Sequence, residues 1–591
     1  MFDVFSGRVA DKLELAAKEG PGSKVMDLQE AVAAFIRPGM HFHVAHAYMR
    51  PNAAVYEICR RFWGSDPGFT ISALGFIANM VLFVYGGLTH RIITSFAGDS
   101  YPFPGPNRIY QDAIREGRLQ VENWTVLTLP QRLLAGALGV EWMPTHSIVG
   151  SSMQEENARD FCVVDVPDGG RVGMVRALRP DLTLVHAWAA DTAGNLLLVP
   201  PYAESVHAAF AAREGVLATV ERIVDTGFLR RYPHFVRIPG YLVRAVCPAP
   251  MGVHPSGASN HGIDEFDPYA EDEEFMLALR EACKNEETMD AWVREWLTGV
   301  ADHDEYMRKV GFEKIWFLKG RSAADSWVSE MATRAPALRK DLEYDDTEMM
   351  VIEAARLLKL RIQAGGYRTI LAGIGASNLA AWKAWYDLRR DDHSVDLMAE
   401  VGFFGYTPRP ADPFIFNFRN MHTCTMLTDV FTVLGSMVGA ESNLAIGVLG
   451  AGQVDRLGNI NSTKIPELDL FLVGSGGACD VALGAREMLL TVPQDRMRTP
   501  EAVSYVTAPG KRVRTLVTTM GVFEKPPGED DFVLTAYFPL VGSDGREAAE
   551  KIGSRCGWEL RTARELRRVE PPEQDDLYDI RIFDPRRYFL G

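Results

Sequence analysis

Apolar positions along the chain recur with helical spacing in some segments and as short continuous runs in others, and the two patterns alternate. Asp27, with Glu30 three residues later, opens the amphipathic stretch DLQEAVAAFIRPG, which Pro38 and Gly39 stop. An apolar strand (HFHVAHAY), a helix (AAVYEICRRF) and a second strand (FTISALGF) follow. The same order returns after residue 345: Asp345 and Glu348 open a longer helix, stopped at Gly365 and Gly366, and then come TILAGIG, SNLAAWKAWYDLRR and VDLMAEVGF. Strands alternating with helices predict parallel βαβ units. Farther along, each half carries an apolar strand leading into D-x-x-G-N, at Asp191, Gly194 and Asn195 and again at Asp455, Gly458 and Asn459. A Gly-Asn pair suits a tight turn with positive φ. The repeat predicts an α/β protein of two tandem, related open domains with largely parallel sheets, residues 1–325 and 346–591. The stretch 326–345, rich in small and charged residues and without an apolar period, reads as the linker.

Composition narrows the class. Of the 591 residues, 47% are hydrophobic and 24% charged, values of a folded globular chain. The formal charge of −16 leaves no overall basic footprint for phosphate backbones or anionic lipid, so nucleic acid and membrane are not expected partners. Seven scattered cysteines without CxxC spacing suit reduced thiols in a cytoplasm. The N-terminal segment, with Asp3, Asp11 and Glu14, lacks the features of a signal peptide. The uncharged stretch from Ile71 to Thr89 nears the length of a membrane span, but Asn79 and its glycines favour a strand, a turn and a short core helix.

In open parallel sheets, ligands bind beyond the carboxyl ends of the strands. Three glycine-rich loops of the second half lie at such ends. Gly373-Ile-Gly375-Ala-Ser-Asn378 is a partial dinucleotide fingerprint, or a tight βα turn, able to aim N–H groups at an anion. Gly450-Ala451-Gly452-Gln453 and Gly474-Ser475-Gly476-Gly477 follow apolar strands and could present donors to an oxyanion, or simply make their turns. Glu400 ends the strand VDLMAE and is followed by apolar residues, where an unpaired charge costs several kcal/mol. Pattern alone favours a strand-end carboxylate that is paired or turned to solvent. The matching point of the first half, Leu74-Gly75, has no acid, so one carboxylate would serve a single site on a duplicated scaffold.

Other candidates carry less. His41 and His43 share a strand face with His46 close by, but no further ligand lies at metal spacing, and no metal site is expected. His186 reads as a satisfied core histidine, Glu271 to Glu274 as a solvated helix start, and Ser151-Ser152 lacks the spacing of a hydrolase elbow.

At these residues the chain resembles class I coenzyme A transferases of the glutaconate CoA-transferase type, with α-like and β-like subunits fused in one polypeptide. The family's strand-end E-S-G corresponds to Glu400-Val401-Gly402, and its G-G-A-Q-x-D-x-x-G-N-x-N-S-T run corresponds to Gly450 through Thr463. Its G-S-G-G-A matches Gly474 to Ala478, and its V-T-x-P-G matches Val506 to Gly510. The resemblance implies a ping-pong exchange in which the Glu400 carboxylate carries CoA as a glutamyl thioester between an acyl-CoA donor and a carboxylic acid acceptor, one that could be dicarboxylic. Gly450 to Gly452 would be the oxyanion donors, and Tyr48, Tyr101 and Phe403 would line the acyl pocket. It implies coenzyme A as substrate, no permanently bound cofactor and a homodimer or larger homo-oligomer. The alternative on this fold is a CoA-thioester-dependent ring-opening hydrolase or decarboxylase. A Gly-Gly-Phe loop usual in the family's α part is replaced here by Val44-Ala45-His46-Ala47-Tyr48.

Overall fold

The computed structural model describes residues 7–12, 22–45, 48–167, 169–440 and 444–591. Asp27 accepts from the Gln29 and Glu30 N–H groups and starts helix α1 (Leu28–Phe35). Strand β1 (His41–Val44), helix α2 (Asn52–Phe62) and strand β2 (Phe69–Ser72) follow in the expected order. Strands β3 (Thr89–Thr94), β4 (Gln120–Asn123), β5 (Leu182–Ala190), β6 (Gly215–Ile223) and β7 (Val243–Pro248) complete a parallel sheet ordered β7-β6-β5-β1-β2-β3-β4. All nine residues of β5 are buried, as expected for a strand covered on both faces. The uncharged stretch after Ile71 divides into the end of β2, a short 3-10 turn and the helix Val81–Tyr85. Among the described residues no helix is long and apolar enough to cross a membrane.

The second half repeats the plan. Asp345 and Glu348 form a reciprocal capping box on α3 (Asp346–Gly365), which ends at Gly366 in the left-handed region. Strand β8 (Thr369–Ala372), helix α4 (Ala376–Arg390) and strands β9 (Asp396–Ala399), β10 (Ala445–Gly450), β11 (Glu487–Val492) and β12 (Val513–Thr518) build a parallel core ordered β9-β8-β10-β11-β12. This is the order β2-β1-β5-β6-β7 of the first half. Antiparallel strands extend the second sheet at both ends.

The D-x-x-G-N turns match atom for atom. The Asn195 N–H and Nδ2 donate to Asp191 at 2.9 and 2.9 Å, and its Oδ1 accepts from the Gly240 N–H at 2.8 Å. Asn459 bonds Asp455 at 2.9 and 3.0 Å and accepts from Gly510 at 2.9 Å. Gly194 and Gly458 take φ values of 89° and 75°, which glycine adopts without steric cost. A lysine ammonium closes each turn on backbone carbonyls: Lys24 on Gly240 and Val243, Lys525 on Leu457 and Gly510. The two lysines come from unrelated places in the chain, so duplication kept the turn and two different segments came to satisfy it.

The stretch read as the linker is partly helical, over Ser326–Arg334. None of that helix's nine residues is buried, although Trp327, Val328 and Met331 lie at helical spacing. Charge holds it: Glu330 accepts from Arg321 at 3.1 Å and from Arg419 of the second half at 2.5 Å. One continuous hydrophobic core includes Trp124 and Leu127 of the first half and Leu397, Val433 and Leu434 of the second, so the halves are packed together rather than merely tethered.

Candidate functional site

Strand β9 ends at Ala399, and the chain reverses through Glu400-Val401-Gly402 to pair back antiparallel at Phe403. The reversal needs glycine at 402, where φ is 125° and a Cβ would stand 2.5 Å from the Thr428 carbonyl oxygen. It projects Glu400 beyond the carboxyl edge of the sheet, next to β8 and β10, where the chain switches direction across the sheet. There Oε2 lies against Gly477, close enough that a Cβ on that residue would sit 2.1 Å from it. Among the described residues the carboxylate makes no hydrogen bond or ion pair, contrary to the pairing that pattern alone favoured. Burial, and then the like charge of Asp480, push its pKa up to about 7.

The loop carrying Gly477 is held by the first half. The Ser475 N–H donates to Asn123 Oδ1 at 3.2 Å, and the Ser475 Oγ donates to the Trp124 carbonyl at 2.6 Å. The Gly476 N–H donates to the Ser95 carbonyl at 2.9 Å, and the Val126 N–H donates to the Gly476 carbonyl at 3.0 Å. One turn into helix α5 (Ala478–Gly484), buried Asp480 accepts from the Leu127 N–H at 3.1 Å and from Ser147 Oγ at 2.5 Å. Burial raises this carboxyl also, to about 7. The carboxyl ends of β3 and β4 thus position the second half's glycine loop beneath Glu400.

Glu400 faces a cavity of about 170 Å³ between the halves. Tyr48, Arg50, Leu74, Phe96, Tyr101, Val126, Glu271 and Met276 line it from the first half, and Ile374, Val401, Phe414, Phe416 and Gly476 from the second. The walls are mainly aliphatic and aromatic, as in ligand sites that bury an apolar body and place a few polar groups. Tyr101 donates to buried Asp412 at 2.8 Å and meets Phe414 edge to face at 5.4 Å. Tyr48 donates to Glu271 at 3.1 Å. The Arg50 guanidinium donates to the Ile77 and Gly75 carbonyls at 3.0 and 3.2 Å.

The remaining sequence candidates fall in several places. Gly373 and Gly375 flank Ile374, which reaches the cavity, whereas Asn378 is buried and donates to the Pro413 carbonyl at 2.7 Å. Gly450, Ala451 and Gly452 are not on this cavity's wall, and Gln453 is occupied with Met497 and Asn461. Phe403 is fully buried within its strand and is not on the wall. His41 and His43 both bond Ser72 Oγ at 3.0 Å, and His43 reaches Glu204 at 3.2 Å. His46 lies outside the described residues, among which no group of three or more potential metal ligands occurs. His186 is a satisfied core histidine, between Thr219 and Glu221. Ser152 Oγ accepts from the Val506 N–H of the second half at 2.9 Å.

The acidic run needs correction. It does start a helix, capped by Asp272, but only Glu274 is well exposed. Asp272 pairs with His254 and Glu273 with Arg321, while Glu271 lines the cavity. Arg50, Glu271 and Asp480 were missed as site residues. Asp480 had a signal, an acid inside the apolar run ACDVALG; the other two are recruited by tertiary packing alone.

Known proteins resemble the chain in both halves. The Coenzyme A transferase family model matches residues 25–249, a stretch that begins just before α1 and ends just after β7. One of the two kinds of glutaconate CoA-transferase chain, from Acidaminococcus fermentans, is 28% identical over 315 residues, covering 50% of this chain and 95% of that protein. A chain of the other kind, from the 3-oxoadipate CoA-transferase of Pseudomonas knackmussii, is 26% identical over 263 residues, covering 41% of this chain and 94% of its own. The chain is thus similar to coenzyme A transferases in both halves. Both kinds of chain in that family find their likeness in this one polypeptide, as expected for fused subunits. The fold of the whole chain is shared with the acyl-CoA transferase of Escherichia coli O157:H7, solved as a thioester complex with CoA, at a TM-score of 0.62 and 15% identity over 95% of this chain and 96% of that one.

Proposed function

We propose that the protein transfers CoA from an acyl-CoA to a carboxylic acid by a ping-pong mechanism with Glu400 as nucleophile. The observation that carries the reading is a lone carboxylate, without hydrogen bond or counter-ion among the described residues, facing a largely apolar cavity between the halves of a coenzyme A transferase fold. The carboxylate attacks the donor thioester carbonyl and expels CoA thiolate, forming an acyl-glutamyl anhydride. The thiolate attacks the glutamyl carbonyl, releasing the donor acid and leaving a glutamyl-CoA thioester. An acceptor carboxylate then attacks that thioester, and the expelled thiolate takes the acceptor's acyl carbon, regenerating Glu400. No electron leaves the system, and thioester energy is conserved.

A desolvated carboxylate is a stronger nucleophile than one in water but is also harder to ionise, so its pKa near neutrality is a compromise between the two. The expectation from the motif was that Gly450 to Gly452 stabilise the oxyanion. We assign that role instead to the Gly477 N–H, because Gly477 touches Glu400, the Gly476 N–H is spent on Ser95, and the other loop does not reach this cavity wall. The reading includes a homodimer or larger homo-oligomer in the cytoplasm, its oligomeric state checked by light scattering. Its test is peptide mass spectrometry after incubation with acyl-CoAs and no acceptor. CoA attached at Glu400 supports the transferase; turnover of acyl-CoA to a cleaved or decarboxylated product without an adduct supports the ring-opening hydrolase or decarboxylase instead.

A further inference from the structure

The charged side chains on the cavity wall differ in how they meet the cavity. Arg50 is only 3% exposed, its two terminal nitrogens donate to backbone carbonyls, and its buried Nε has no hydrogen-bond partner among the described residues. Its terminal nitrogens are thus held by the protein's own backbone. Glu271 is partly exposed and lines the cavity, with the Tyr48 hydroxyl on Oε1 at 3.1 Å. The nearby guanidinium groups are engaged elsewhere: Arg321 with Glu273 at 2.6 Å and Arg419 with Glu330 at 2.5 Å. The same cavity is lined by Leu74, Phe96, Phe414 and Phe416. A substrate meets a second carboxyl group there, in apolar surroundings that strengthen any charge interaction.

We propose that Glu271 selects the acyl group, so that the site takes an uncharged acyl chain with an aliphatic or aromatic body, favours a hydroxyl at its far end, and turns away a second carboxylate. This rests on the transferase reading for the orientation of the acyl carbonyl toward Glu400. Two carboxylates brought together in a low-dielectric cavity repel by an amount that costs tenfold or more in binding, whereas a hydroxyl can donate to the Glu271 carboxylate beside the Tyr48 hydroxyl. The chain would then differ in substrate class from the relatives whose names specify glutaconate and 3-oxoadipate.

The test is calorimetric binding of three unreactive thioether analogues of equal length: pentanoyl-, 5-hydroxypentanoyl- and glutaryl-CoA, against the intact wild-type protein and Glu271→Gln. It is run at about pH 8, since burial pushes the Glu271 carboxyl up to about 7 and its charge must be present. In the wild type, the glutaryl analogue is expected to bind at least about tenfold more weakly than the other two. Glu271→Gln should close that gap by about tenfold while leaving the pentanoyl analogue unchanged. Glutaryl binding as tight as pentanoyl in the wild type overturns the proposal, whether or not the variant folds, and its loss in Arg50→Met would give the selection to Arg50. Because these analogues bind without reacting, the result is independent of the adduct at Glu400, whose absence would remove the transferase reading and not the selectivity.

Discussion

Replacing Glu400 by glutamine should abolish exchange and at the same time stabilise the protein, in a pH-dependent way. Moving a carboxyl from 4.5 to about 7 corresponds to roughly 3 kcal/mol of penalty on its ionised form. The group faces a cavity that water can enter, so about 1 to 3 kcal/mol is the working range. The folded-state pKa is raised, so protonation favours folding: below about pH 4.5 the carboxyl is neutral in both states and the penalty vanishes. It grows as the pH rises from there through about 7 and is complete above. Glu400→Gln carries no charge and escapes it. At about pH 8 the variant should melt a few degrees above the wild type, taking about 2 to 4 °C per kcal/mol for domains of a few hundred residues. The difference should shrink steadily as the pH is lowered toward about 5. Calorimetric melting across that range, beside an exchange assay expected to fall by roughly 10⁴-fold, tests both halves of the argument. A melting difference that is absent at about pH 8, or unchanged by pH, would refute the burial of an unpaired carboxylate.

The acidic limb of kcat/KM should report the ionisation of Glu400, rising toward a plateau as the pH passes through about 7; Asp480→Asn, which removes the like charge that adds to the effect of burial, should move that limb to lower pH. Gly477→Ala places a Cβ 2.1 Å from the Glu400 oxygen and should cut activity by about 10²-fold or more through displacement of the nucleophile, with circular dichroism unchanged. Gly240→Ala and Gly510→Ala each drive a Cβ to 2.3 Å from a carbonyl oxygen, of Ala193 and Leu457 respectively, and should each destabilise by about 2 to 4 kcal/mol in denaturant unfolding. Comparable costs at the two positions are expected because the two turns are built alike.

The elements, their order and the duplication were legible along the chain. Helix and strand periods, the Asp27 and Asp345 caps and the Gly-Asn turns are local signals, and local backbone and side-chain chemistry produces them. Glu400 was legible for a related reason: an acid at the end of an apolar strand conflicts with its neighbours, and such conflicts mark sites. The helix over Ser326–Arg334 was not read from the sequence: its short Trp327, Val328 and Met331 stripe stands among small and charged residues, and the arginines that hold Glu330 come from other segments. Which glycine loop meets Glu400 follows from packing between the halves and from nothing nearer in the chain. The loops at 450 and 474 look alike in sequence, both glycine-rich after apolar strands, but hydrogen bonds to Asn123, Trp124 and Ser95 of the other half draw in the second. Arg50 and Glu271 likewise belong to the cavity only because the two halves close around it, and contacts between segments so far apart in the chain leave no trace in the local pattern of either.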